Sequence, residues 1–460
     1  MVGWVYNQGV RIQWNRTSWF ITTVQRLVFL LLGFSLASGG CGPVGQIQTT
    51  EMPPTASPTP IPSPTLSPTP NIIEGTVTIW HSWDETQRSI LFRTISVFQS
   101  TYPQVQFDVL YVPALDLATR FEEAMSQGAG PTILIAPAQW GGRFYEQGFL
   151  VDFGNRNLDS ITTLLNQAAL ETGVYYGKRL SVPITMNGVV LYRNKTILPT
   201  AAQTFEQMRA FATTATQAGT VGADLERSFF FSGGHLLGLG GLLLNAEGLP
   251  GFQQDDYRYA LEWLDLLKAF EQVGVTEFNS DNDLRLFQEG RAGLIVEGSW
   301  NRYLLAGEVG PLNLAIDPWP TYKTGRLAGF VQSEGVFLTR QTLNEEDEIS
   351  WLFLQSLFSP EALSNLGNVG LIPAIGTEQL VENGGVINIG DPFVTQSIVA
   401  FESGVAYPSL PEMEIVEKQM DVILRAVFFQ GMNQRAAMQQ AYERILADIN
   451  AQRSSSTPSP

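Results

Sequence analysis

The chain has 460 residues, 44% of them hydrophobic, and a formal net charge of −17. That length supports a large core, as two domains or one bilobed one, while an acidic chain without a Lys/Arg cluster is unsuited to nucleic acid or an anionic membrane surface. One cysteine, Cys41, excludes an intrachain disulfide and a cysteine metal cluster, and two histidines, His81 and His235, exclude a multi-histidine metal site, leaving only a carboxylate-rich one open.

In chain order, Arg11, Arg16 and Arg26 precede the apolar run Leu27 to Ala37, and residues 1–40 contain no acid. A positive region, a short apolar stretch and the small residues "SGGC" (Ser38 to Cys41) predict a secretory signal over 1–40, too short for a membrane span. "SGGC" resembles the lipobox of bacterial lipoproteins, which implies lipidation of Cys41; Ser38 departs from the leucine-like residue preferred there. Residues 41–72 form a linker. Eight of the 18 residues from Pro53 to Pro70 are proline, a composition that favours extended polyproline II over a packed core.

"TVTIWHSWDETQ" (76–87) begins as a strand. Two readings of its end are open: a core tryptophan with Ser82 or Asp84 capping a helix from Gln87 to Gln99, or a ligand platform at the carboxyl end of a strand. "VQFDVLYV" follows as a strand and "LDLATRFEEAMSQG" as a helix stopped at Gly128. "TILIAP" and "GLIVEG" read as buried strands. "YALEWLDLLKAFEQVG" and "NQRAAMQQAYERILADINAQ" read as amphipathic helices, and "SPEALSNLG" as a helix with an N-cap serine and a first-turn proline. This alternation predicts α/β architecture. The tail 454–460 is expected to be disordered.

No nucleophile elbow, P-loop or zinc-protease motif occurs, and no catalytic residue, metal or cofactor is expected. "GLGG" (238–241) is weak and is explained equally by a turn or helix packing. "NSDNDL" (279–284) lacks calcium-loop spacing and reads as a turn or cap. Four strand ends instead combine tryptophan or amide groups with small polar residues: "WHSWDE", "AQWGG", "PITMNG" and "VEGSW". Sugars suit this combination, since a pyranose offers an apolar face for an aromatic ring and a rim of hydroxyls for amides and carboxylates.

In these stretches the chain resembles the extracellular solute-binding proteins of ABC importers, the branch that includes the maltose-binding protein. The resemblance covers nearly all of residues 74–450, through "TVTIWHSWDE", "LATRFEEAMSQGAGPTILIAPAQWGGRFYEQGFLVDF", "YGKRLSVPITMNGVVLYRNKTIL", "LFQEGRAGLIVEGSW" and "PSLPEMEIVE". Thr132 stands for the usual Asp and Leu294 for Met. The resemblance implies a two-lobed periplasmic-binding-protein-like α/β fold (type II) with its ligand in the interlobe cleft. The expected parts are 73–183 and 317–372 for the N-lobe, and 184–316 and 373–453 for the C-lobe.

Carried over by position, it places His81, Ser82, Trp83, Asp84, Gln139, Trp140, Asn187, Phe231, Ser232, Trp300 and Tyr407 around a carbohydrate. Trp80 is expected to pack inward, and His235 to fall near Phe231. Glu417 stands roughly where some members carry an aromatic, with Tyr407 compensating nearby. The implied function is capture of a carbohydrate outside the cytoplasm by a lipid-anchored monomer, and delivery to an ABC permease with its ATPase. A lipid-anchored polysaccharide-degrading enzyme, or the same fold holding a polyol or peptide, are the alternatives.

Overall fold

The strands Gly75–His81 and Val105–Tyr111 pair in parallel, with Gly75 opposite Val105 and His81 opposite Tyr111. The helix between them, Glu85–Thr101, buries Ile90, Leu91, Ile95 and Phe98 at helical spacing. Helix Ala114–Ser126 likewise buries Leu117, Phe121 and Met125, and leads to Ile133–Pro137, which joins the other edge of Gly75–His81 in parallel. Such βαβ crossovers cover both faces at the inner strand Ile133–Pro137, which is continuously apolar, while the edge strand Val105–Tyr111 alternates and buries only Val105. The computed structural model describes residues 73–456 except 155, 279, 324 and 342–344; the expected signal, Cys41 and the proline-rich segment lie outside the described residues.

Two antiparallel strands join the lobes. Val182–Asn194 pairs through its first half with Phe330–Leu338, and through its second half with Leu294–Gly298 and Leu314–Asp317. One continuous strand therefore leaves one lobe's sheet and enters the other's. The sheet order is Val105–Tyr111, Gly75–His81, Ile133–Pro137, Phe330–Leu338, Val182–Asn194, Leu294–Gly298, Asp224–Glu226, Val275–Glu277. The pairing register shifts between Glu334 and Gly335, opposite Thr185 and Pro183. A proline supplies no ladder N–H, so Pro183 is tolerated at this bulge.

One first-lobe core, with Val77, Ile79, Phe98, Ile135 and Phe353, lies on one sheet face and continues beneath the crossover strands to Ile295, Leu305 and Ile316. Phe121, Leu134, Phe144 and Phe337 form the core on the other face. The second lobe packs Phe205, Phe229, Trp263, Phe270, Met420 and Ile445 together. Ser359 caps Pro360–Asn368 as its sequence predicts, accepting from Ala362 N at 3.3 Å. "GLGG" closes helix Phe229–Gly238, where Gly240 takes φ +100°.

Two segments differ from expectation. Trp319, Tyr322, Leu327 and Phe330 belong to the second-lobe core, although 317 was expected to reopen the first lobe. The reason is that backbone of 321 pairs with Gln203, holding this stretch on the second lobe before the return strand begins. The final helix, Gln434–Ser456, runs into the expected tail, with Arg453 bonded to Glu412.

Candidate functional site

The strand Gly75–His81 runs two residues beyond its β-branched start, and alternation then decides where its aromatic end points. Val77, Ile79 and His81 face one core and are buried. Trp80 faces the other side, half-buried, where Trp140 and Tyr145 also border the Phe121–Phe144 core. His81 is fully buried; its Nδ1 accepts from Trp83 N at 3.0 Å, which leaves the proton on Nε2. Burial, helped by Arg88, lowers its pKa to about 4.

Trp83 is only 2% exposed, and its Nε1 donates to Glu334 Oε2 at 2.9 Å. Asp84 is exposed and forms a capping box: its Oδ1 accepts from Gln87 N at 2.9 Å, while Gln87 Oε1 accepts from Asp84 N at 3.1 Å. Ser82 between them is half-buried. The expected roles of the two tryptophans are thus exchanged: Trp83 packs inward and Trp80 borders solvent. In the neighbouring loop Gln139 is exposed, and Trp140 is half-buried with its ring edge 6.1 Å from Phe144.

Where the strands cross between lobes, one face carries four polar side chains. Thr185 stands opposite Glu334, and Asn187 opposite Gln332. Thr185 Oγ1 donates to Glu334 Oε2 at 3.0 Å. Burial pushes the Glu334 carboxyl above its usual range, against the opposing pull of Trp83 and Thr185. Asn187 Oδ1 accepts from Ser299 Oγ at 3.3 Å, and Ser299 Oγ accepts from Gly188 N at 3.2 Å. These bonds run from the first-lobe loop, over the crossover, to the second-lobe loop that carries Trp300.

There the strand Leu294–Gly298 ends on a glycine for a steric reason. A Cβ at Gly298 would stand 2.0 Å from Cε2 and Cζ2 of Trp300, so the indole lies directly on that backbone. Trp300 is half-buried, 6.4 Å from Phe230, which in turn lies 5.3 Å from Phe231 and 6.1 Å from Tyr407. The Tyr407 hydroxyl donates to Glu417 Oε2 at 2.7 Å, so those two positions are joined by contact. Burial raises the pKa of both groups.

Ser232 and His235 are not brought to this aromatic group. They lie on the buried side of helix Phe229–Gly238, with Ser232 Oγ donating to Arg227 O at 3.2 Å and His235 Nδ1 at 2.7 Å from Ala328 O. Helical spacing turns Phe230 and Phe231 outward from that side.

The structure thus brings together Asn187, Phe231, Trp300 and Tyr407 as partly exposed groups around the crossover, while Trp140 stays on the first-lobe loop against Phe144. It withdraws His81, Trp83 and Ser232. Thr185, Phe230, Gln332 and Glu334 were missed. For Thr185, Gln332 and Glu334 the sequence shows only polar residues within the otherwise apolar stretches "PITMNG" and "FVQSEGVFL", which does not say that the two stretches meet. A groove of about 300 Å³ lined by Phe98, Tyr102 and Leu352 lies elsewhere on the first lobe and shares none of these residues. Among the described residues, no acid–histidine group has the geometry to hold a metal ion, and no helix is long and apolar enough to cross a membrane.

Half-exposed rings beside amides, hydroxyls and a carboxylate can stack on and hydrogen-bond a small solute between lobes. Known proteins share this frame. A Staphylococcus aureus extracellular solute-binding protein, solved with maltose, superposes with a TM-score of 0.68 at 18% identity, covering 82% of this chain and 98% of that one. A cyclic α-maltosyl-1,6-maltose binding protein from Arthrobacter globiformis superposes at 0.67 with 21% identity, covering 81% and 98%. The maltodextrin-binding protein MdxE of Bacillus subtilis is 26% identical over 245 residues, 49% of this chain; the match spans only about half, 56%, of that relative's own length. Residues 94–382, more than half the chain, match the bacterial extracellular solute-binding protein family, and the chain belongs to that family of extracytoplasmic binders, not enzymes.

Proposed function

We propose that the protein captures a neutral oligosaccharide, first of all a maltodextrin, between its lobes and delivers it to an ABC importer. The observation that carries this reading is the set of partly exposed groups Asn187, Trp300, Phe230 and Tyr407, with the buried Ser299 hydroxyl bonded to Asn187 beside Trp300. The ligands named for the family's relatives supply the sugar class. A ligand touching both lobes favours the closed arrangement only by the contacts that closure adds. Cys41, lipidated, would hold the protein to the membrane, with the proline-rich segment as spacer; a permease and its ATPase are the implied partners.

A thermal-shift screen with maltose, maltotriose, cellobiose, lactose, raffinose and mannose tests the ligand. The best sugar, at 100 times its Kd, should stabilise the fold by about 2.7 kcal/mol. It should return unchanged by chromatography after long incubation. No stabilisation by any of the six overturns the reading, and product formation replaces it with an enzyme. For the anchor, wild type should fractionate with membranes and Cys41→Ser should not; a soluble wild type with a free thiol overturns lipidation.

A further inference from the structure

We propose that Glu334 is a ligand-binding and specificity-determining residue, whose free carboxylate oxygen accepts a hydrogen bond from a hydroxyl of the bound saccharide. The inference rests on the saccharide reading and adds a contact outside the ligand loops. Glu334 lies on the return strand that joins the two lobes, at the point where the register shifts. Bulges of this kind re-aim a side chain and recur beside binding sites. On the same face stand Thr185, Asn187 and Gln332, so the carboxylate belongs to a polar floor rather than to the apolar core beneath it.

Its two oxygens are used unequally. Trp83 Nε1 and Thr185 Oγ1 both donate to Oε2, at 2.9 and 3.0 Å. An indole N–H can only donate, so Oε2 is committed as an acceptor. Among the described residues, Oε1 receives no bond, and Glu334 takes part in no ion pair. A carboxylate offers about four acceptor sites. Oε1 is not among the buried atoms left without a partner, so it keeps access to solvent and a ligand hydroxyl can reach it. A sugar hydroxyl satisfies Oε1 with a charge-assisted bond, roughly twice as strong as a neutral one. The same uncompensated charge repels a phosphorylated or acidic sugar, so the floor selects neutral ligands. Through Trp83, and from it to His81 Nδ1, the contact is tied to the first-lobe loop.

Glu334→Gln separates this role from a structural one. The amide oxygen can still accept from Trp83 and Thr185, while its NH₂ presents a donor where an acceptor stood. With maltotriose as probe, calorimetry should show at least a tenfold weaker Kd, with the unliganded melting temperature within about 2 °C of wild type. Unchanged Kd overturns the inference. Should Glu334→Gln fold poorly, wild type supplies a second readout: maltotriose should shift the indole 1H–15N resonance of Trp83, which feels the carboxylate across one hydrogen bond. Saturable binding that leaves this resonance unmoved also overturns it. No binding of maltotriose by wild type overturns the maltodextrin reading itself, and this inference with it.

Discussion

Two loops of similar composition meet opposite fates. "WHSWDE" spans the end of Gly75–His81 and "EGSWNR" the end of Leu294–Gly298; each sets a serine and then a tryptophan just past the strand. In the first, Trp83 is drawn into the core by a carboxylate on another strand, Glu334. In the second, Gly298 lets the Trp300 indole fold back over its own strand end and remain half-exposed. A tryptophan beside small polar residues is therefore not a cleft residue by composition. What lies opposite its N–H, and whether the strand ends on a Cβ, decide.

The largest expected effect breaks the pair apart by stability. Trp83→Ala should cost about 3–5 kcal/mol, as for other buried large-to-small changes, whereas Trp300→Ala should cost about 1 kcal/mol or less. Urea unfolding of both variants checks this, and equal losses would erase the contrast. Binding should reverse the order: Trp300→Ala should weaken maltotriose by about 2 kcal/mol, the scale of an aromatic anchor, read by calorimetry. If it binds as tightly as wild type, Trp300 is a packing residue.

The second loop also stands on buried acid. Burial pushes Glu297 up to about 7, and Asp283 to about 8. Unfolded carboxyls titrate near 4, so between about pH 4 and 8 the folded chain holds protons that the unfolded chain releases. Stability from these groups is full below that window and falls as pH rises through it. Asp283→Asn can keep the bond accepted from Leu284 N at 2.7 Å. It should flatten the fall and raise stability at pH 8 by on the order of 1 kcal/mol or more, measured by urea midpoints at pH 5, 6.5 and 8. A pH profile parallel to wild type would show that Asp283 does not titrate in this way.

The smallest effect sharpens the first loop. Asp84→Ala removes a helix cap and should cost about 1 kcal/mol while leaving maltotriose affinity unchanged. A fall in affinity at equal stability would return Asp84 to the ligand, as the family resemblance implied.

Much of the frame was legible from local pattern. The stripe Leu117, Phe121 and Met125 identified its helix, Ser359 and Pro360 marked a helix start, and the apolar run "TILIAP" a buried strand. Asn187 and Trp300 were legible as polar and aromatic groups at strand ends. Thr185, Gln332 and Glu334 were not, because the two strands that bring Glu334 within 3.0 Å of Thr185 lie 149 residues apart. His81, Trp83 and Ser232, expected at the ligand, are buried, because composition marks what a side chain can bind and not which face it occupies.

By itself the sequence determined periodicity, caps and the acidic balance, since these depend on neighbours within a turn or a strand. The tertiary structure alone decided which tryptophan is buried, which oxygen of Glu334 is free, and that Tyr407 and Glu417 touch. Those outcomes depend on register across a sheet, where a shift of one residue turns every side chain to the opposite face.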